Sequence, residues 1–123
     1  MNARKLTLHI GTEKTGSTSI QKFLKTNRKL LSDSGIEVPR TLGDGIHYKL
    51  QLMANSDEFQ DDFLRNLGLH QDMDKRKNTI EQWRKDFANE INNSKARNWI
   101  ISAETLHSRL TTETEIDRLK NIL

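Results

Sequence analysis

Residues 11–18 (GTEKTGST) bring two glycines, one lysine and four hydroxyl side chains into eight positions. The glycines permit a tight turn and a close approach of the backbone to a ligand. Where such a loop runs into the start of a helix, several backbone N–H groups and the positive end of the helix dipole converge. Lys14 adds a compact positive charge, and Ser17 and Thr18 add hydroxyl donors. The segment therefore predicts a site for phosphate or sulfate oxygens.

The spacing of this loop differs from that of nucleotide triphosphatases. In their pattern, G-x-x-x-x-G-K-[ST], a lysine follows the second glycine and reaches the β- and γ-phosphates. Here Ser17 occupies that position, and the lysine of the loop, Lys14, lies in its interior. A lysine there is placed closer to the bridging oxygen of a shorter anion. The pattern disfavours an ATPase, a GTPase or a P-loop kinase, and the absence of G-x-G-x-x-G disfavours dinucleotide binding.

Residues 8–21 (LHIGTEKTGSTSIQ) resemble the 5′-phosphosulfate loop of sulfotransferases that use 3′-phosphoadenosine-5′-phosphosulfate (PAPS), particularly the bacterial type. Residues 99–106 (WIISAETL) resemble a strand and turn typical of the same proteins. The resemblance implies a P-loop-like α/β fold with a parallel sheet flanked by helices in three layers. It also implies transfer of a sulfuryl group to an acceptor hydroxyl or amine, with adenosine 3′,5′-bisphosphate as product. The acceptor, whether carbohydrate, lipid or another small molecule, is left open.

The same resemblance implies roles for single residues. Lys14 would contact the 5′-phosphosulfate and neutralise the bridging oxygen as it leaves. The residues implied in cofactor binding are Gly11, Lys14, Thr15, Gly16, Ser17, Thr18 and Ser19. The motif requires no metal. Members of the family also carry a later strand ending in Arg that binds the 3′-phosphate, and no such strand occurs up to Leu123. Residues 1–123 are therefore expected to be the N-terminal part of one sulfotransferase domain, with a variable helical insert at about 40–97.

Two residues are candidates for the general base that takes the acceptor's proton near the sulfur. Glu104 follows an apolar segment at 98–102, at the carboxyl edge where open α/β sheets bind ligands. Its alternative roles are a favourable acid at a helix start or a partner for Lys14. His47 follows the turn at 43–45, where a substrate could approach, and its alternative role is an ordinary surface residue.

An alternative to an enzyme is a catalytically silent module that keeps only the anion-binding loop and serves in binding or assembly. A sheet of three strands is small for a parallel sheet and leaves an exposed edge. Such an edge is able to pair with another copy of the chain. Whether the chain is an enzyme or an assembly module stays open at this level.

The elements that position these residues follow from hydrophobic periodicity. Strands are predicted at 5–10, 36–39 and 98–102, with Pro39 favouring an edge or a strand end. A helix is predicted from about 17, with Gly35 as its stop. Its apolar face is predicted to comprise Ile20, Phe23, Leu24 and Leu31.

Further helices are predicted at 47–55 and 57–67, from about 75 to 93, and after a capping box formed by Thr112 and Glu115. The helix from about 75 shows the clearest periodicity, with Ile80, Trp83, Phe87 and Ile91 along one side. His9 alternates with the apolar positions of the first strand and is expected to be a buried strand side chain. Strands separated by helices predict an α/β fold.

Composition excludes several classes of protein. The 123 residues contain no cysteine, which rules out disulfides and thiol nucleophiles, and no apolar run long enough for a membrane span. The first 40 residues carry eight Lys or Arg and three Asp or Glu, which suits an anionic ligand. For Lys22, Lys25, Arg28 and Lys29, a solvated helix face is the favoured interpretation. No motif predicts nucleic-acid binding. A cytoplasmic location is the default expectation.

Overall fold

The computed structural model describes residues 4–10, 17–44 and 46–123, with the backbone alone for Ser17 and Thr18. The described strands, in chain order, are β1 (Lys5–His9), β2 (Ile36–Glu37) and β3 (Asn98–Ser102). The described helices are α1 (Ser17–Thr26), α2 (Arg28–Asp33), α3 (Tyr48–Ala54), α4 (Asp62–Asn66), α5 (Met73–Asn93), α6 (Leu106–Arg109) and α7 (Glu113–Ile122).

The described strands form one parallel sheet in the order β1-β3-β2. The chain is therefore an α/β protein, and the three predicted strand positions are confirmed. The last strand in sequence, β3, lies in the centre, and its apolar residues Trp99 and Ile101 are buried. Parallel strands require crossover connections, which the helical segments between them supply. The short strand β2 lies at an edge, as Pro39 predicted.

The helical region after residue 17 forms two helices, with a break at Asn27. Gly35 follows the second of them with a φ of 85°, and its N–H donates to the carbonyl of Ser32 at 3.0 Å. This left-handed conformation ends the helix as predicted, because glycine adopts it without steric cost.

The predicted apolar face of this region is partly wrong. Gln21 and Leu24 are the buried described side chains of α1, whereas Ile20 and Phe23 are exposed. The buried strip is displaced by about one residue around the helix from the strip that apolar spacing predicted. Ile20 and Phe23 are consequently left as exposed apolar side chains of α1.

The segment at 47–67 contains one confirmed helix and one shorter than predicted. The helix α3 begins after His47 and ends at Asn55, as expected. The helix α4 begins only at Asp62, because Asp61 caps it by accepting a hydrogen bond from the Leu64 N–H at 3.0 Å. The chain before it is not helical, since the carbonyls of Ser56 and Phe59 accept from the guanidinium of Arg76 instead.

The hydrophobic core lies between the sheet and the helices that follow it in sequence. Trp83 and Phe87 of α5 are buried there, with Ile80 and Ile91 packed against them, which confirms the predicted face of this helix. The capping box of α7, Thr112 with Glu115, is also confirmed. The remaining buried members of the core are Leu42, Leu50, Leu52, Met53, Ala54, Leu64, Leu69, Ile101, Ala103, Leu106 and Leu110.

A sharp turn brings the chain from β2 to the start of α3. At Gly43 the φ is 131°, and a Cβ atom there would lie 2.5 Å from the carbonyl oxygen of Ile46, so only glycine fits. The carboxylate of Glu90 holds the start of the same segment by accepting from the amides of Arg40 and Thr41 at 2.7 and 3.1 Å. The turn delivers the next residue, His47, to the end of β3.

Candidate functional site

The carboxyl ends of β1 and β3 lie side by side in the sheet. His9, the last residue of β1, is in register with Ser102, the last residue of β3. The Ala103 N–H extends the pairing by donating to the His9 carbonyl at 2.9 Å. Because the strands are parallel, Ile10 and Ala103, which follow β1 and β3, lie at the same edge of the sheet.

Ser102 connects three segments of the chain at this edge. Its hydroxyl lies 2.9 Å from Nδ1 of His9, and its N–H donates to Nδ1 of His47 at 2.9 Å. Its carbonyl accepts from the His47 N–H at 3.0 Å. The residues 9, 102 and 47, far apart in sequence, therefore form one hydrogen-bonded group.

His47 is buried, with 1% of its surface exposed. Burial, with a further contribution from the charge of Arg28, lowers the pKa of His47 to about 4, although the Pro39 backbone and Glu90 act in the opposite direction. The imidazole is thus neutral at pH 7, with Nδ1 as acceptor and the proton on Nε2. Among the described residues, Nε2 makes no hydrogen bond of good geometry. This includes its contact with the Pro39 backbone. The alternative interpretation of His47 as a surface residue is wrong.

Glu104 lies two residues beyond Ser102 and is half-buried. Within the described ranges, its carboxylate makes no hydrogen bond or ion pair. The chain turns immediately after it, and the Glu104 carbonyl accepts from the His107 N–H at 3.3 Å. A half-buried carboxylate at the end of the central strand is able to accept a proton from a group that approaches this edge.

The residues implied in cofactor binding fall largely outside the described part of the chain. Gly11, Lys14, Thr15 and Gly16 lie outside it, and Ser17 and Thr18 are described by their backbone, which begins α1. Ser19 lies in the first turn of α1 and is exposed. The predicted start of this helix at about Ser17 is confirmed, and its first turn holds no acidic residue.

Three of the four basic residues that follow the loop make local contacts. Lys25 forms an ion pair with Asp44 at 2.8 Å, Lys29 pairs with Asp33 at 3.2 Å, and Arg28 donates to the carbonyl of Val38 at 3.1 Å. These contacts support the reading of a solvated helix face.

A cavity of about 420 Å³ lies at the opposite end of the sheet from this edge. It is bounded by Leu6 and Trp99 near the starts of β1 and β3, and by Phe87 and Ile91 of α5. It therefore contains none of the candidate site residues.

Sequence reasoning identified His47 and Glu104 but missed the residue that connects their segments. From the sequence, Ser102 is only the last residue of an apolar strand. Its hydroxyl, in the otherwise apolar run Trp99–Ser102, could have indicated a hydrogen-bonded group, since buried polar groups require a partner. His9 was expected to be buried and is half-buried, with its ring turned to that hydroxyl.

Among the described residues there is no cluster of three or more His, Cys, Asp or Glu able to hold a metal ion. No described helix is long and apolar enough to cross a membrane. Comparisons of the chain with protein-family models, with curated proteins and with solved structures find no match.

Proposed function

We propose that the chain carries the donor-binding part of a sulfotransferase that moves a sulfuryl group from PAPS to an acceptor hydroxyl or amine. One observation supports this proposal above the others. The parallel pairing of β1 with β3 places the end of β1, which the segment at 11–18 follows in sequence, at the same edge of the sheet as the turn with Glu104. An anion-binding loop and a carboxylate able to accept a proton are the two groups that such a transfer needs at one place.

The proposed chemistry is an in-line displacement. The acceptor oxygen or nitrogen forms a bond to sulfur while the bond from sulfur to the bridging oxygen breaks, and the acceptor's proton passes to the base. Lys14 neutralises the charge that develops on the bridging oxygen. As in phosphoryl transfer, positioning and charge stabilisation provide most of the rate enhancement. The PAPS donor supplies the sulfuryl group and leaves as adenosine 3′,5′-bisphosphate.

Glu104 is the favoured general base. Its carboxylate is half-buried at the carboxyl edge and has no partner in the described part of the chain. His47, by contrast, is buried, its Nδ1 already accepts from Ser102, and its pKa near 4 makes it a weak base at neutral pH. We therefore assign His47 to the support of the site.

The loop residues receive binding roles in this proposal. The backbone N–H groups at the start of α1 and the hydroxyls of Ser17, Thr18 and Ser19 bind the 5′-phosphate. The lack of an acid in the first turn of α1 favours an anion there, because no side chain of that turn neutralises the positive end of the helix dipole. A P-loop-like arrangement of strand, loop and helix is part of the same proposal.

Adenosine 3′,5′-bisphosphate provides the direct test. A ligand at one hundred times its Kd stabilises a protein by about 2.7 kcal/mol, which raises the melting temperature of a domain of this size by roughly 10 °C. We expect such a rise for the wild type and its loss in Lys14→Ala. Lys22→Ala, which removes an exposed lysine of α1, is the matched control and should bind like the wild type.

Two results would contradict the proposal. Absence of a shift at millimolar bisphosphate would leave the chain without a working donor site. A larger shift with Mg-ATP than with the bisphosphate would favour a kinase instead.

An assembly module is a second candidate, favoured by the exposed apolar side chains Leu6, Ile10, Ile20 and Phe23. In the described sheet β1 pairs with β3 alone, so its outer edge is open to a second copy of the chain. Sedimentation tests this candidate: a dimer that dissociates in Leu6→Lys and Ile10→Lys would support it, and a wild-type monomer would exclude it.

A further inference from the structure

We infer that Ser102 is a positioning residue, whose buried hydroxyl orients His9 and thereby fixes the end of β1 from which the anion-binding segment continues. Ser102 would act without contacting the ligand. The inference rests on the proposed function, since it names a residue that supports the same site.

The position of Ser102 is determined independently of its hydroxyl. Its N–H and carbonyl are both bonded to His47, and the residue has no exposed surface. Neither the backbone nor the side chain of Ser102 therefore has freedom to follow a moving partner. The hydroxyl is a fixed point, 2.9 Å from the imidazole Nδ1 of His9.

His9 is consequently held from two directions. Its carbonyl accepts from the Ala103 N–H at 2.9 Å, and its side chain is bound by the Ser102 hydroxyl. The backbone bond alone would permit the end of a five-residue edge strand to twist, as strand ends do. The side-chain bond adds a second restraint at the last residue of β1. The end of β1 is thereby fixed against the end of β3.

The same group also holds the turn that carries Glu104. Only Ala103 separates Glu104 from Ser102, and the Ala103 N–H is bonded to His9. A shift of His9 relative to Ser102 would therefore alter the distance between the anion-binding segment and the carboxylate. Misplacement of reacting groups by about 1 Å is able to cost two orders of magnitude in rate.

The test is Ser102→Ala, read out by the affinity for adenosine 3′,5′-bisphosphate. We expect binding to weaken by about 5- to 10-fold, the fold-change that corresponds to the loss of one intramolecular hydrogen bond. Ser94→Ala is the matched control, because the Ser94 hydroxyl also forms a hydrogen bond, with the Ala96 N–H at 3.1 Å, but lies far from the site in sequence at the end of α5. It should leave the affinity unchanged.

Variants of His9 separate positioning from a general loss of stability. His9→Leu removes the ring nitrogen and should weaken binding as much as Ser102→Ala, and the double variant should be no weaker than either. His9→Asn keeps a polar atom near the place of Nδ1 and should retain affinity within about 3-fold of wild type. If Ser102→Ala does not fold, the two His9 variants still decide the matter, because His9 is half-buried.

Two binding results would overturn the inference. One is an unchanged bisphosphate affinity in Ser102→Ala or His9→Leu. The other is an additive loss in the double variant.

Hydrogen exchange gives a readout that does not depend on the ligand. If the wild type binds no bisphosphate, the proposed function fails, and amide exchange at residues 10–19 decides the positioning role. Faster exchange there in Ser102→Ala, with α5 unchanged, would support it. Unchanged exchange at 10–19 would overturn it.

Discussion

Ser102 and His47 exchange two hydrogen bonds: the serine N–H donates to the imidazole Nδ1, and the histidine N–H donates to the serine carbonyl. The pair joins the segment before α3 to the end of β3, 55 positions apart. An imidazole that accepts at Nδ1 must be neutral, with its single proton on Nε2. Protonation of His47 would therefore break one of the two bonds.

Stability should rise with pH between about 4 and 6.5. The pKa of His47 is lowered from 6.5 to about 4 in the folded chain, so in this window the unfolded state binds more protons than the native state. A shift of this size corresponds to about 3 kcal/mol, lost progressively as the pH falls through the window. Urea unfolding measured across this pH range provides the check.

His47→Asn is the variant for that experiment. The Asn side-chain oxygen is placed to accept from the Ser102 N–H, yet the group does not titrate. We expect a flatter pH dependence between 4 and 6.5 in the variant. An equally steep dependence would assign the effect to other groups.

Replacing Glu115 with Gln should destabilise the chain by about 2 kcal/mol. Oε1 accepts from the amides of Thr111 and Thr112, and Oε2 accepts from Asn55 and the Ser56 N–H. In the Glu115→Gln variant, the amide NH₂ group would replace one of these two oxygens, and in either place it would face a hydrogen-bond donor. Burial alone would raise the pKa of Glu115, but these hydrogen bonds outweigh it and lower the pKa to about 2.

Glu113→Gln serves as the control for this comparison. Glu113 lies in the same first turn of α7 but is exposed, so its replacement should cost no more than about 0.5 kcal/mol. Equal losses for the two variants, measured by chemical denaturation, would show that the Glu115 network adds nothing beyond the helix dipole.

Two neighbouring aspartates should differ sharply when each is changed to Asn. Arg109 contacts both at 2.7 Å, but the Asp61 side chain is 8% exposed and that of Asp62 is 55% exposed. Asp61 also caps α4 and accepts from Gln51. We expect a loss of about 2 kcal/mol for Asp61→Asn and less than about 1 kcal/mol for Asp62→Asn. Thermal and urea unfolding should agree on that order, and the reverse order would refute it.

Under the proposed function, Glu104→Gln should reduce turnover while sparing donor binding. Loss of a general base costs about 10²- to 10⁴-fold in rate. The measurement is release of adenosine 3′,5′-bisphosphate from PAPS with water as acceptor, alongside the affinity for the bisphosphate. Glu113→Gln is again the control. A variant that turns over like the wild type would remove Glu104 from the reaction.

Local patterns predicted the elements well because their causes are local. The alternation in β1, the spacing of Trp83 and Phe87, and the capping box of α7 each depend on residues within a few positions of one another. Their predictions were confirmed for that reason. The predicted end of the helical region at Gly35 was confirmed for the same reason.

Tertiary contacts account for what the sequence did not reveal. The helix predicted at 57–67 was shortened by Arg76, whose guanidinium donates to the carbonyls of Ser56 and Phe59 from 20 and 17 positions away. The sequence predicts that His47 lies near the path of a substrate. It does not predict the partner of His47, Ser102, because that residue belongs to a strand much further along the chain. Hydrogen bonds between residues so far apart in sequence produce no periodic pattern, so hydrophobic spacing does not predict them.

The central place of β3 has a consequence for folding. Both β1 and β2 have β3 as their described partner, yet β3 is the last of the three to be synthesised. Neither earlier strand is able to form its ladder before residues 98–102 have emerged from the ribosome. The pairing of Lys5 with Asn98 also closes a very long loop, which slows folding because the entropy of closure is lost before the contact forms. β1 and β2 therefore stay unpaired in the nascent chain until residues 98–102 have been made.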